Sequence, residues 1–119
     1  MNEFQEQILE HYHNPRNFFK PNWTPTKSAK LQNLSCGDEI ELFLLIENNK
    51  VKDVSFQGEG CSIALASASL LTEQIKNKSL KFLKKYTIEK LLSLIGIPLT
   101  PSRTKCATLS FETLTETLK

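Results

Sequence analysis

The hydrophobic positions of this chain change period along its length, and each change marks an element. Phe4, Ile8, Leu9 and Tyr12 recur at helical spacing, which predicts a helix over residues 3–13. Asn14-Pro15 ends it, because a proline disfavours helical geometry at the residue before it. Residues 16–33 show no clear period and hold Pro21, Trp23 and Pro25, which reads as a surface segment or an extended edge with some mobility. A third strand over 27–34 rests on a faint pattern. From Glu39 to Ile46 the period becomes two, with Ile40, Leu42, Leu44 and Ile46 on one face, which predicts a strand. Residues 47–50 form a turn, and Val51–Gln57 returns as a second strand with Val54 and Phe56 inward, completing a hairpin.

Gly58 and Gly60 break that strand. Ser62–Lys76 suits a helix with Ser62 as its N-cap, and its Ala/Ser run makes it thin enough to approach another backbone closely. A further helix over Thr87–Ile95 is closed by Gly96 as a left-handed terminator, and a last one begins near Pro101, a favoured first helical residue. Its stripe is Ala107, Phe111, Leu114 and Leu118. The order predicts one domain over residues 1–119 with an α+β fold: a small antiparallel three-stranded sheet with helices packed on one face.

Composition narrows the function classes. A net charge of +2 with no basic stripe argues against nucleic acid, and the lysines between Lys76 and Lys90 alternate with apolar residues as solvated helix faces do. No apolar run approaches the roughly 20 residues that cross a bilayer, so no membrane partner is expected. The polar, acidic start is unlike a secretory leader, which predicts the cytoplasm. Three cysteines in a reducing compartment make a poor disulfide framework.

Each cysteine falls at a predicted element boundary: Cys36 in a turn before the first clear strand, Cys61 at a helix start, Cys106 near the start of the last helix. A helix N-terminus stabilises a thiolate, and Arg103 and Lys105 should push Cys106 the same way. Asp38 adds a carboxylate from the Cys36 loop. Three thiolates and one carboxylate form a four-ligand set suited to Zn²⁺ or to iron. The spacing matches no paired-ligand finger, so residue chemistry leaves open whether the thiols share a metal or are separate buried fillers. Gly58-Glu59-Gly60 before a helix lacks the Gly-Lys-Ser/Thr ending of a phosphate loop. His11 and His13, two apart on a helix, point to different faces and read as surface or partner-contact residues. Phe18-Phe19 and Trp23 read as local packing, with a docking patch as the alternative.

Several separated motifs resemble the iron–sulfur cluster assembly scaffold family, of the IscU and SufU type and the N-terminal domain of NifU. They are Cys36-Gly37-Asp38, Gly58-Glu59-Gly60-Cys61-Ser62-Ile63-Ala64 with the Ala-Ser run to Ser69, Thr72-Glu73 with Ile75-Lys76, and Arg103-Thr104-Lys105-Cys106-Ala107-Thr108-Leu109. His11-Tyr12 followed by Asn14-Pro15-Arg16-Asn17 resembles the family's opening helix and its exit. The resemblance implies that Cys36, Asp38, Cys61 and Cys106 converge on one exposed site. There they would hold Zn²⁺, or Fe²⁺ and a transient [2Fe-2S] cluster. It implies a pyridoxal-phosphate cysteine desulfurase as sulfur donor and a downstream cluster or sulfur acceptor. Cys36 and Cys106 become the candidate persulfide acceptors, and Arg103 a partner for Asp38 or for developing negative charge. Lys105 stands where IscU-type members have histidine, and Ile97-Pro98-Leu99-Thr100-Pro101-Ser102 replaces their chaperone motif, so recognition by a dedicated Hsp70 is not expected. The Arg-x-Lys-Cys-Ala-Thr-Leu stretch resembles the SufU-like branch, although the extra segment usual between its second and third cysteines is missing. A structural zinc-binding adaptor without sulfur transfer is the alternative.

Overall fold

The computed structural model describes residues 2–119. Among these residues, strands β1 (Lys27–Asn33), β2 (Asp38–Glu47) and β3 (Lys50–Glu59) form one antiparallel sheet in the order β1-β2-β3. The helices are α1 (Glu3–His13), α2 (Ser62–Ile75), α3 (Leu80–Lys85), α4 (Ile88–Ile95) and α5 (Pro101–Thr117). Helices α2 and α5 lie against the sheet, α1 packs on α2, and α4 packs on both α2 and α5. This is the α+β arrangement expected, with helices on one face.

The core forms where the two periods meet. Ile40, Leu42 and Leu44 of β2 and Val51, Val54 and Phe56 of β3 are buried against Ala64, Ala66, Ala68 and Leu71 of α2 and Ala107 and Leu114 of α5. The alanines carry little side chain, so α2 settles close to its neighbours on three sides. Gly96 closes α4 in the left-handed conformation (φ 69°), and Pro101 starts α5, both as the sequence predicts.

Three expectations need correction. A register shift between Leu45 and Ile46 leaves Ile46 half-buried and turns Val51 inward alongside Val54 and Phe56. Strand β3 runs through Gly58 to Glu59 instead of breaking there. A Cβ at Gly58 would collide with the Glu39 carbonyl oxygen, so the glycine lets the two strands stay paired. Helix α3, capped by Ser79, was not predicted, since six residues are too few to show a period. Residues 16–33 end in the expected third strand, at the sheet edge, and specific contacts hold the part before it. Arg16 donates its N–H to Ser69 Oγ (2.8 Å), and Asn17, at φ 62°, accepts the Phe56 N–H (2.8 Å) and donates its side chain to Thr72 and Glu73. The Phe18 ring packs on Phe56 at 5.2 Å, and β1 occupies 27–33.

The β1–β2 turn and the end of β3 lie at one end of the sheet, where Glu39 pairs with Glu59 and Asn33 with Asp38. The β2–β3 turn lies at the other.

Candidate metal centre

Cys36 is exposed on the β1–β2 turn, and Asn33 shapes that turn. The Asn33 carbonyl accepts the N–H groups of Cys36 (3.3 Å) and Gly37 (2.8 Å), and its side-chain oxygen accepts the N–H and hydroxyl of Ser35. Gly37 sits at φ 76°, which a side chain would oppose. Sequence reasoning overlooked Asn33. Its signal is an asparagine whose side chain bonds the backbone two residues on, ahead of a glycine.

Asp38 opens β2 and is only 2% exposed. Its Oδ2 accepts the Cys36 thiol at 2.9 Å, and its Oδ1 accepts the Cys61 N–H at 3.2 Å. Burial pushes this carboxyl up, but hydrogen bonds from Cys106, Cys36 and the Cys61 N–H outweigh it and hold the group below its usual range. The space it occupies depends on Gly60: a Cβ there would stand 2.6 Å from Asp38 Oδ1.

Cys61, not Ser62, is the N-cap of α2, and its thiol makes no capping bond. The strand-to-helix corner needs an extended residue whose N–H is held by Asp38, and Cys61 meets that need (φ −72°, ψ 169°). Its sulfur therefore makes no bond to the helix it opens.

Cys106 lies beyond the first turn of α5 and is buried, at 5% exposure. The expectation that the helix end, Arg103 and Lys105 would favour its thiolate fails. The dipole fades beyond the first turn, and burial pushes the Cys106 thiol up. Hydrogen bonding to Asp38, Cys36 and Cys61 pushes it further the same way.

Cys36 Sγ, an Asp38 carboxylate oxygen and Cys106 Sγ lie within 4.8 Å of one another, with the two sulfurs 3.4 Å apart. Two sulfurs bound to one zinc, each about 2.3 Å from it, stand at most about 4.6 Å apart, so the Cys36 and Cys106 sulfurs are close enough to share an ion. The Cys61 sulfur is not one of these three mutually close ligand atoms; Cys61 reaches the group through its N–H to Asp38. Arg103 and Lys105 are exposed, and among the described residues no ion pair links Arg103 to Asp38, whose two oxygens already have partners. His13 is exposed, but His11 is half-buried, with Nδ1 2.7 Å from Ser69 Oγ, so it packs α1 onto α2 instead of lying at the surface.

The family model of the NifU-like N terminal domain matches residues 3–119. The chain belongs to this family. Curated relatives include the zinc-dependent sulfurtransferase SufU of Bacillus subtilis, 34% identical over 93% of this chain and 86% of that protein. The iron–sulfur cluster assembly scaffold protein IscU of Thermotoga maritima is 34% identical over 98% of this chain and 92% of its own length. A crystal structure assigned as a SUF-system scaffold from Fervidobacterium islandicum superposes with a TM-score of 0.80 at 29% identity, covering 100% of this chain and 96% of that one. The NifU-like N-terminal protein of Brucella abortus shares the fold, with a TM-score of 0.76 at 16% identity over 95% of this chain and 90% of its own. The B. subtilis alignment spans 128 positions, more than this chain's 119 residues, so that relative carries residues this family member lacks. No helix of the described residues is long and apolar enough to cross a membrane.

Proposed function

We propose that this chain accepts persulfide sulfur from a pyridoxal-phosphate cysteine desulfurase at a Zn²⁺ site of Cys36, Asp38, Cys61 and Cys106, and hands it to a downstream cluster or sulfur acceptor. The observation that carries the reading is an exposed thiol, Cys36, whose sulfur touches a buried carboxylate at 2.9 Å and a second thiol at 3.4 Å. Its relative in B. subtilis is a zinc-dependent sulfurtransferase. Zn²⁺ at this site supplies stabilisation of thiolates near neutral pH and ties three chain segments together.

The chain's own groups do the rest. In the metal-free chain Asp38 Oδ2 holds the Cys36 thiol hydrogen and so keeps Sγ beside Cys106. Freed of that hydrogen, Cys36 attacks the outer sulfur of the donor persulfide, and the donor thiolate leaves. Leu34, two residues before Cys36, is 88% exposed and offers the arriving donor apolar surface. Arg103, exposed in the first turn of α5, balances the negative charge of that encounter; Asp38 does not need it. Cys106 is the second candidate acceptor.

The IscU relatives favour a second reading, in which Fe²⁺ replaces zinc and the same four groups hold a transient [2Fe-2S] cluster. Either chemistry suits free thiols in a reducing cytoplasm, without a dedicated Hsp70, nucleic acid or membrane. The test is to purify the chain without added metal, measure zinc and iron, and add a cysteine desulfurase with L-cysteine. Bound zinc, a sulfur adduct on Cys36 and faster desulfurase turnover support sulfur transfer. Bound zinc with neither adduct nor stimulation would mean a structural zinc adaptor.

A further inference from the structure

Cys36 Sγ and Cys106 Sγ meet at 3.4 Å although 70 positions separate them, and one residue is exposed while the other is buried. We infer that the chain can release the sulfur it accepts as sulfide: Cys106 attacks the inner sulfur of a Cys36 persulfide and closes a Cys36–Cys106 disulfide. The inference rests on the acceptor reading above and adds a reductive step to it.

The step balances without an outside oxidant. A Cys36 persulfide and the Cys106 thiol give the disulfide and hydrogen sulfide. The Sγ–Sγ bond forms and the bond to the outer sulfur breaks, its electron pair leaving with that sulfur. The outer sulfur gains two electrons, and the two cysteine sulfurs together lose them. The Cys106 proton passes to the Asp38 carboxylate, which has an oxygen within 4.8 Å of the Cys106 sulfur, and from there to the departing sulfide. A cellular dithiol reductant then restores both thiols by exchange.

Geometry selects the inner sulfur. The two Sγ atoms already stand within the roughly 3–3.5 Å of a near-attack arrangement. The outer sulfur is added on the open side of Cys36, where a donor can reach, and Cys106 lies on the closed side at 5% exposure. Leaving-group chemistry agrees, because hydrosulfide is a weaker base than a cysteine thiolate and departs faster. The same burial keeps Cys106 from meeting a bulky donor, which suits a thiol that resolves an adduct more than one that receives it.

The full chain, treated with chelator and held without oxygen or added thiol, is given one equivalent of cysteine hydropersulfide and followed by intact mass and sulfide assay. Wild type should gain one sulfur atom, then lose it and two hydrogens as one equivalent of sulfide appears, and peptide mapping should find Cys36 joined to Cys106. Cys106→Ser should keep the sulfur adduct, with sulfide at background. An adduct that persists in wild type, migrates to Cys106 or resolves onto Cys61 overturns this step and leaves the acceptor reading standing. Failure to form any adduct overturns both.

Discussion

Cys61 donates its backbone N–H to Asp38 Oδ1 across 3.2 Å, so the residue that opens α2 is tied to the residue that opens β2. That bond puts a strand-to-helix corner, a hairpin turn and, through the Cys36 and Cys106 thiols, a second helix around one carboxylate. The proposed ligands are thus brought near one another by the polypeptide itself, and the acid that links them is one of the set.

The two glycines before Cys61 should fail in different ways. Gly60→Ala puts a Cβ 2.6 Å from Asp38 Oδ1 and must move the carboxylate off the Cys61 N–H. A buried donor left unpaired costs about 1–3 kcal/mol, and the metal site opens with it. Gly58→Ala instead drives a Cβ into the Glu39 backbone and parts β2 from β3, an overpacking cost of about 1–3 kcal/mol or more. Melting curves paired with metal content per folded molecule separate them: metal-poor and folded for Gly60→Ala, metal-replete and less stable for Gly58→Ala.

Asp38 has two duties that two substitutions divide. Asp38→Asn keeps an oxygen to accept the Cys61 N–H, so metal-free stability should stay near wild type. Its neutral amide is a poor ligand, and zinc affinity should fall by at least the roughly 10–100-fold typical of losing a mere supporting group. Asp38→Ala loses both duties and should also lower metal-free stability by about 1–3 kcal/mol. Zinc titration against a competing chelator, with denaturant melts of the metal-free proteins, reads both quantities. Equal stability of the two variants would show that the N–H bond contributes little.

What could be read from sequence was what local chemistry decides. The alternation from Ile40 to Leu44, the left-handed Gly96 and the helix-starting Pro101 each follow from a few neighbouring residues, and each stands as predicted. The N-cap of α2 did not, because Asp38, 23 positions away, sets the backbone at Cys61. His11 looked like a surface histidine because Ser69, which half-buries it, is 58 positions distant. The Cys106 thiol was misjudged for the same reason: its nearby cations could be read off the chain, but its burial against Asp38 and Cys36 could not. The four proposed ligands were legible only through resemblance, since their spacing carries no short-range pattern.

His11 should make stability fall on mild acidification. Burial, then the charge of Arg16, hold its imidazole below the ordinary 6.5, outweighing Glu73 and Glu10. Ser69 Oγ accepts the Arg16 N–H and still has its own hydrogen to offer neutral His11 Nδ1. The unfolded chain therefore binds a proton that the folded chain resists. His11 contributes stability that is present above 6.5 and is lost as pH drops through its lower folded value. Urea midpoints at about pH 7.5 and about pH 5.5 should differ more for wild type than for His11→Gln, which cannot titrate. The same difference in both proteins would remove His11 from the account.

Metal removal should loosen one end of the molecule and spare the other. The proposed ligands come from the β1–β2 turn, the α2 start and the second turn of α5, while the sheet beyond Leu42 packs without them. Structural zinc is worth about 10–16 kcal/mol of apparent binding in small peptides, against about 5–15 kcal/mol for the stability of a whole domain. Much of the order at that end should therefore depend on the ion, and local opening should precede global unfolding. Amide hydrogen exchange before and after chelation is the measurement. Protection should drop around Cys36–Asp38, Cys61–Ala64 and Arg103–Ala107, and hold at Leu42–Leu44 and Val54–Phe56. A uniform loss across both groups would mean that the metal supports the fold as a whole, and no loss would mean that the hydrogen bonds to Asp38 suffice alone.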